Sequence, residues 1–151
     1  MYFSIKIFPC HLDLISSSQP IIALTGDDVI LPCCLEPATS VSLRRVEWTS
    51  PDLDQKNIHI YQDGRLVFES QNPSYNYRTR LFVDELMNGN VSMKIFGVKL
   101  SDEGKYRCSL PSIHKEAFVR LIVGKLNMRS ACTAVVVGSL IIAVIFKHCI
   151  N

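Results

Sequence analysis

The stretch DVILPCC, residues 28–34, decides how the middle of this chain is interpreted. Val29, Leu31 and Cys33 occupy alternate positions, and successive side chains of a β-strand point to opposite faces. Cys33 therefore shares the apolar, core-facing side of the predicted strand, whereas Cys34 points away from it. The stretch predicts a half-buried strand that carries one structural cysteine.

The same alternation recurs between about Gln19 and Gly124, in VSMKIFGV (91–98) and FVRLIV (118–123). Turn-rich stretches separate these runs, and no run has the period of a helix. Short alternating strands with turn signals about every 8 to 12 residues are typical of an antiparallel sandwich. We therefore predict one all-β domain over residues 19–124.

A core-facing Cys33 needs a core-facing partner, and Cys108 is the one other candidate within this segment. Trp48, the single tryptophan of the chain, lies between them. Cysteine, tryptophan and cysteine in this order and spacing mark an immunoglobulin domain. We predict a Cys33–Cys108 disulfide, which would contribute roughly 4 kcal/mol by restricting the unfolded chain.

Longer motifs narrow the assignment. GDDVILPC, LFVDELMNGNVSMKI and the run Asp102-x-Gly104-x-Tyr106-x-Cys108 resemble the variable-type immunoglobulin domain of the butyrophilin and myelin oligodendrocyte glycoprotein-like family, over about two thirds of the chain. The resemblance implies a Greek-key sandwich of two antiparallel sheets and an ion pair between Asp102 and Arg80 at its base. Tyr106 suits a tyrosine corner, and Gly104 a turn.

Variable-type domains commonly bind partners through the sheet that carries Trp48 and Cys108. Alternation predicts which side chains this sheet shows to solvent, and tyrosine, arginine and phenylalanine among them are types that anchor interfaces. The predicted partner-binding residues are Glu47, Thr49, His59, Tyr61, Arg107, Ser109, Phe118 and Arg120. The alternative is that these are ordinary solvated surface positions.

Composition and spacing weigh against other classes of function. The net charge of +2 argues against a dedicated nucleic-acid binder. The six cysteines include no C-x-x-C pair, and Cys33 and Cys34 point in opposite directions, so we predict neither a metal site nor a cofactor. A thiol protease built on Cys108 and His114 would lose its nucleophile to the disulfide, so we predict no enzyme.

Both ends of the chain carry apolar segments. Residues 131–146 contain no charged residue, and Arg129 and Lys147 flank them. The run is slightly short of the usual span of about 20 residues, but snorkelling of the flanking cations would extend it. We predict a transmembrane helix over 131–146, a stalk over 125–130 and a cytoplasmic tail over 147–151; the alternative is a buried core helix.

The N-terminus has the order of a secretory signal, with Lys6, an apolar patch and small residues up to Ser18. Pro9 and Asp13 interrupt the apolar part, which makes residues 1–18 a weak signal peptide. These segments together predict a type I single-pass protein of the plasma membrane with its immunoglobulin domain outside.

Three further residues carry modification chemistry. Asn90, in the sequon NVS, is a predicted N-glycosylation site. Cys34 is predicted to be a free thiol or an intermolecular bridge. Cys149 is a candidate for acylation or an unmodified thiol.

The family resemblance implies a surface ligand that binds a protein on T cells and modulates their activation and cytokine output. The family pattern includes a second, constant-type domain and a large cytoplasmic domain, neither of which we expect in this chain. A homophilic adhesion protein is the first alternative, and a soluble decoy domain is the second.

Overall fold

The computed structural model describes residues 12–37 and 45–125, which form β-strands and short 3-10 helices. The strands are β1 (Asp13–Ser16), β2 (Ile21–Leu24), β3 (Val29–Leu31), β4 (Cys33–Glu36), β5 (Arg45–Thr49), β6 (Asn57–Gln62), β7 (Arg65–Leu66), β8 (Thr79–Leu81), β9 (Met93–Ile95), β10 (Gly104–Leu110) and β11 (Lys115–Gly124). The 3-10 helices are Phe68–Ser70, Pro73–Tyr75, Val83–Asn88, Leu100–Asp102 and Pro111–Ile113. Within the described ranges, no helix has the length and apolar character needed to cross a membrane.

The strands form two layers. The first layer is one sheet of six strands in the order β2-β11-β10-β5-β6-β7, in which β2 runs parallel to β11 and the other pairs are antiparallel. The second layer contains the sheet β3-β9-β8 and the pair β1-β4. Pro32, which has no N–H to donate, separates β3 from β4. The predicted immunoglobulin variable-type sandwich is confirmed.

The core between the layers is centred on the predicted disulfide. Cys33 of β4 is bonded to Cys108 of β10, and both residues are almost fully buried. Trp48 is also fully buried, and its indole Nε1 donates a hydrogen bond to the Val91 carbonyl at 2.8 Å. The alternation in the sequence therefore identified correctly that Cys33, and not the adjacent Cys34, forms the disulfide between the two layers.

The ion pair at the base of the sandwich involves a different arginine from the predicted one. Arg78 contacts both carboxylate oxygens of Asp102, at 2.5 and 3.3 Å. Arg80 lies in the middle of β8, exposed and opposite Lys94. The prediction for Arg80 was wrong because the buried Leu81 and the inward-facing Thr79 leave Arg80 on the solvent side of its strand.

Asp102 and Tyr106 form the tyrosine corner. The Tyr106 hydroxyl donates to the Asp102 carbonyl at 2.5 Å. Because that hydroxyl has only one proton, the hydroxyl of Tyr75, 2.9 Å away, must donate to Tyr106. Burial, and then the neighbouring Tyr75, raise the pKa of Tyr106 above its ordinary value. Both tyrosines therefore stay neutral in the core.

The domain begins earlier than the sequence predicts. Strand β1, Asp13–Ser16, pairs with all of β4 and buries Leu14, so the predicted boundary between residues 18 and 19 leaves a structural strand outside the domain. The apolar character that suggested a signal peptide here belongs in part to this strand. The predicted helix 131–146, the tail 147–151 and all of the stalk beyond Lys125 lie outside the described residues.

A candidate partner-binding face

The outer side of the six-stranded sheet is a surface of polar, charged and aromatic side chains. Arg107 lies opposite Thr49 on one side and Phe118 on the other, and residues directly opposite each other share a face of the sheet. We call this surface the outer face; it carries Glu47, Thr49, Lys105, Arg107, Ser109, Phe118 and Arg120.

Six of the eight predicted binding residues lie on the outer face, all of them on β5, β10 and β11. Thr49 and Ser109 are nevertheless buried, at 5% and 9% exposure, and they contact the longer side chains of Arg107 and Glu47. Arg107, Phe118 and Arg120 remain accessible to a partner.

The predictions for His59 and Tyr61 were wrong. A β-bulge sets Trp48 opposite His59 and Thr49 opposite Asn57, so one extra residue on β6 shifts the alternation. His59 and Tyr61 consequently share the core-facing side with Trp48 and Val46. Ile60 lies opposite Glu47 on the outer face and is 3% exposed.

The His59 side chain instead links β6 of the six-stranded sheet to β8 of the other layer. Its Nδ1 lies 2.9 Å from the hydroxyl of Thr79 on β8, and that hydroxyl also accepts a hydrogen bond from Gln71 at 3.0 Å. Burial of the imidazole lowers the pKa of His59 from 6.5 to about 4. His59 is therefore a neutral structural residue at physiological pH.

Ion pairs and hydrogen bonds orient several charged groups of the outer face. Glu47 accepts from Arg45 at 2.5 Å and from Ser109 at 3.5 Å. Arg107 donates to Thr49 at 3.1 Å and lies 3.5 Å from the Glu116 carboxylate. The Arg107 guanidinium is thus held along the sheet with part of its surface open.

Phe118 supplies an aromatic surface beside these charges. It is 41% exposed, and the ammonium of Lys105 lies 4.0 Å from the centre of its ring. Farther along β11, Ile122 lies opposite Ile22 of the edge strand β2, and Ile22 is 75% exposed. An exposed aromatic bordered by cations and followed by two apolar side chains has the composition of a protein-binding surface.

Asn90 lies on the other layer. It forms an isolated bridge with Cys34 of β4, and its side-chain Oδ1 accepts from the Ser92 N–H at 3.0 Å. The Ser92 hydroxyl is buried and donates to the Cys33 carbonyl while accepting from the Cys33 N–H. Cys34 is exposed and forms no disulfide, and its thiol donates to the Asn90 Oδ1 at 3.9 Å. The sequon and the free thiol are therefore neighbours on the side away from the outer face.

The described residues contain no group of three or more His, Cys, Asp or Glu side chains that could hold a metal ion. The sulfur of Cys108 is held in the disulfide. The outer face can form ion pairs, hydrogen bonds and apolar contacts with another molecule.

Residues 16–123 match the family model of the immunoglobulin V-set domain. The chain belongs to this family. Macaca fascicularis myelin-oligodendrocyte glycoprotein is 37% identical over 112 residues, which are 73% of this chain and 45% of that protein. Homo sapiens butyrophilin subfamily 1 member A1 is 32% identical over 124 residues, 81% of this chain and 23% of that protein.

The crystal structure of bovine butyrophilin is similar to this V-set domain, with a TM-score of 0.68 at 31% identity. The similarity covers 76% of this chain and 55% of the butyrophilin chain. The resemblance to butyrophilin and myelin oligodendrocyte glycoprotein is confirmed. The chain spans less than half the length of the curated relatives named above.

Sequence reasoning missed Lys105 and Ile60 on the outer face of the V-set domain. Lys105 has the same alternation as Arg107, so the rule that selected Arg107 would also have selected it. Ile60 carried no such signal, because the bulge that turns it outward leaves no mark in the sequence.

Proposed function

We propose that this chain is a cell-surface immunoglobulin-superfamily ligand of the butyrophilin type that binds a protein partner on T cells through its outer face. Binding would modulate T-cell receptor signalling and cytokine production. The observation that carries the proposal is the exposed Phe118, with the Lys105 ammonium over its ring and Arg107 opposite it. Aromatic and arginine side chains at the centre of a surface supply most of the free energy of binding in protein interfaces.

The proposed placement in the cell is a type I plasma-membrane protein with the V-set domain outside. Residues 131–146 would cross the membrane after the stalk 125–130, and residues 147–151 would be cytoplasmic. Sixteen residues without a charge, bounded by Arg129 and Lys147, support the anchor.

Asn90 is the proposed site of an N-linked glycan. The residue lies in a turn between the 3-10 helix Val83–Asn88 and β9, on the layer opposite the outer face. A glycan there would leave the outer face open to a partner.

Homophilic adhesion is the second candidate function, and a specific observation favours it. Ile22, Leu24 and Ile122 expose apolar surface on β2 and β11, and β2 forms the edge of its sheet. Exposed apolar side chains on an edge strand favour pairing with a second copy.

The test compares single substitutions on the two layers. Phe118→Ala and Arg107→Ala should each weaken binding to T cells by about 1 to 3 kcal/mol. Both side chains lie outside the core, so the melting temperature should remain close to that of the unaltered protein. Arg80→Ala, an exposed arginine on the other layer, is the matched control and should bind normally.

Binding to T cells and self-association are measured side by side with the full chain. Loss of T-cell binding in the two outer-face variants alone supports the ligand. Normal T-cell binding by both variants would reject the outer face as the contact surface. Self-association without T-cell binding would favour adhesion.

A further inference from the structure

Two cations face each other at one end of the outer face. Lys105 of β10 and Arg120 of β11 are directly opposite in the antiparallel pair, and both are exposed. Like charges in this position destabilise a sheet, because directly opposite side chains begin only about 5 Å apart. The fold therefore tolerates an electrostatic cost at this point.

A similar pair on the other layer is compensated. Arg80 and Lys94 are directly opposite on β8 and β9, and the Asp28 carboxylate lies 3.0 Å from the Lys94 ammonium. Within residues 12–37 and 45–125, no carboxylate lies within ion-pair distance of Lys105 or Arg120. The outer-face pair differs from its counterpart in having no ion-paired carboxylate among the described residues.

An open cleft of about 660 Å³ surrounds this pair. Its lining includes Lys105, Arg120, the Phe118 ring and the serines at 17 and 18. Asp52 also lines the cleft, but its Oδ2 accepts the backbone N–H of Lys105 at 2.8 Å and closely approaches the Cα of Gly104, where a Cβ would lie 3.0 Å from it. Asp52 is thus fixed as part of the wall.

We propose that this cleft binds a carboxylate side chain, Asp or Glu, presented by a protein partner. The inference rests on the proposed function and names the chemistry of one contact in it. The guanidinium of Arg120 can donate two parallel hydrogen bonds to a carboxylate, while the Lys105 ammonium supplies a second positive charge. Two cations and the Asp52 carboxylate leave one net positive charge, which matches a single carboxylate better than a doubly charged phosphate.

The first experiment measures binding of a carboxylate probe to the purified full chain on a sensor surface. The probe is soluble poly-L-glutamate at low ionic strength. The double variant Lys105→Gln/Arg120→Gln should bind it about tenfold more weakly than the unaltered chain. The matched control, Arg80→Gln/Lys94→Gln, removes the same charge from the other layer and should lose much less. Equal losses in the two double variants would overturn the proposal, because net charge alone would then explain binding.

A second probe, polysialic acid, tests whether the bound carboxylate belongs to a sugar instead of a protein side chain. Weaker binding of polysialic acid than of poly-L-glutamate supports a protein side chain. Equal or stronger binding, lost in the Lys105→Gln/Arg120→Gln variant, would overturn the assignment to a side chain.

Thermal unfolding gives a readout that does not depend on any ligand. At low salt, Arg120→Gln should raise the melting temperature of the full chain by about 1 to 4 °C, since it removes the repulsion. Arg80→Gln should give a smaller rise, because Asp28 already offsets the charge of its neighbour. A lower melting temperature for Arg120→Gln would show that Arg120 is structural and would overturn the proposal.

The proposal and the proposed function fail in different ways. If Phe118→Ala and Arg107→Ala weaken T-cell binding but Lys105→Gln/Arg120→Gln does not, the proposed function stands and the carboxylate contact is rejected. Loss of T-cell binding in all three variants supports both. Normal binding in all three rejects both.

Discussion

At the scale of single residues, the base of the sandwich depends on which arginine reaches Asp102. The Asp102 side chain is 2% exposed, and it also accepts the backbone N–H of Lys99 at 2.8 Å. Arg78 makes further hydrogen bonds to the carbonyls of Ser74 and Gly97. This network satisfies a charge that the core could not otherwise hold.

Replacing Arg78 should therefore be far more damaging than replacing Arg80. Arg78→Ala leaves a buried carboxylate without its counter-ion, and we expect a loss of about 3 to 5 kcal/mol in the free energy of unfolding. Arg80→Ala removes an exposed side chain and should change it by less than about 0.5 kcal/mol. Urea denaturation of the two variants measures the difference. Similar losses for both would contradict the ion pair described here.

At the scale of elements, strands with unbroken alternation were predictable and the irregular one was not. Along β11 every second residue is buried, and both Phe118 and Arg120 were placed correctly on the outer face. On β6 the bulge opposite Trp48 shifts the alternation, so His59 and Tyr61 were assigned to the wrong side. A bulge depends on how two strands pair, and therefore the sequence of one strand does not reveal it.

The bulge has a consequence for stability against acid, because it buries His59. The pKa of His59 is lowered to about 4 by burial, whereas the unfolded chain titrates near 6.5. Between these values the unfolded state binds a proton that the folded state excludes. The contribution of His59 to the free energy of unfolding is thus fully present above about pH 6.5. It is lost as the pH falls toward 4, by up to about 3 kcal/mol.

The matched variant His59→Gln removes this titration while keeping a polar group near Thr79. We expect its melting temperature to fall less between pH 7.5 and 4.5 than that of the unaltered protein. The carboxylates titrate in both proteins, so the difference between the two decreases in melting temperature is due to His59. Equal falls would mean that His59 is protonated as easily in the folded state as in the unfolded one.

At the scale of the whole molecule, the two layers carry different surface features. The layer formed by β1, β4, β3, β9 and β8 carries the sequon, the exposed Cys34 and the compensated pair of Arg80 and Lys94. The other layer presents Phe118 together with Lys105 and Arg120, which have no ion-pair partner among the described residues. With the proposed anchor and the proposed glycan, the V-set domain would present one layer to a partner while the other layer bears the sugar.

The proposed anchor and the proposed glycan predict how the full chain behaves in cells. Carbonate extraction should leave the protein in the membrane pellet, because an uncharged segment at 131–146 would stay in the bilayer. A glycosidase should increase its mobility on a gel, and Asn90→Gln should abolish that shift. Because Asn90 lies on the layer opposite the outer face, Asn90→Gln should leave T-cell binding unchanged. Release by carbonate would argue against the anchor, and unchanged mobility against glycosylation. If Asn90→Gln instead weakened partner binding, the layer that carries the glycan would be part of the contact surface.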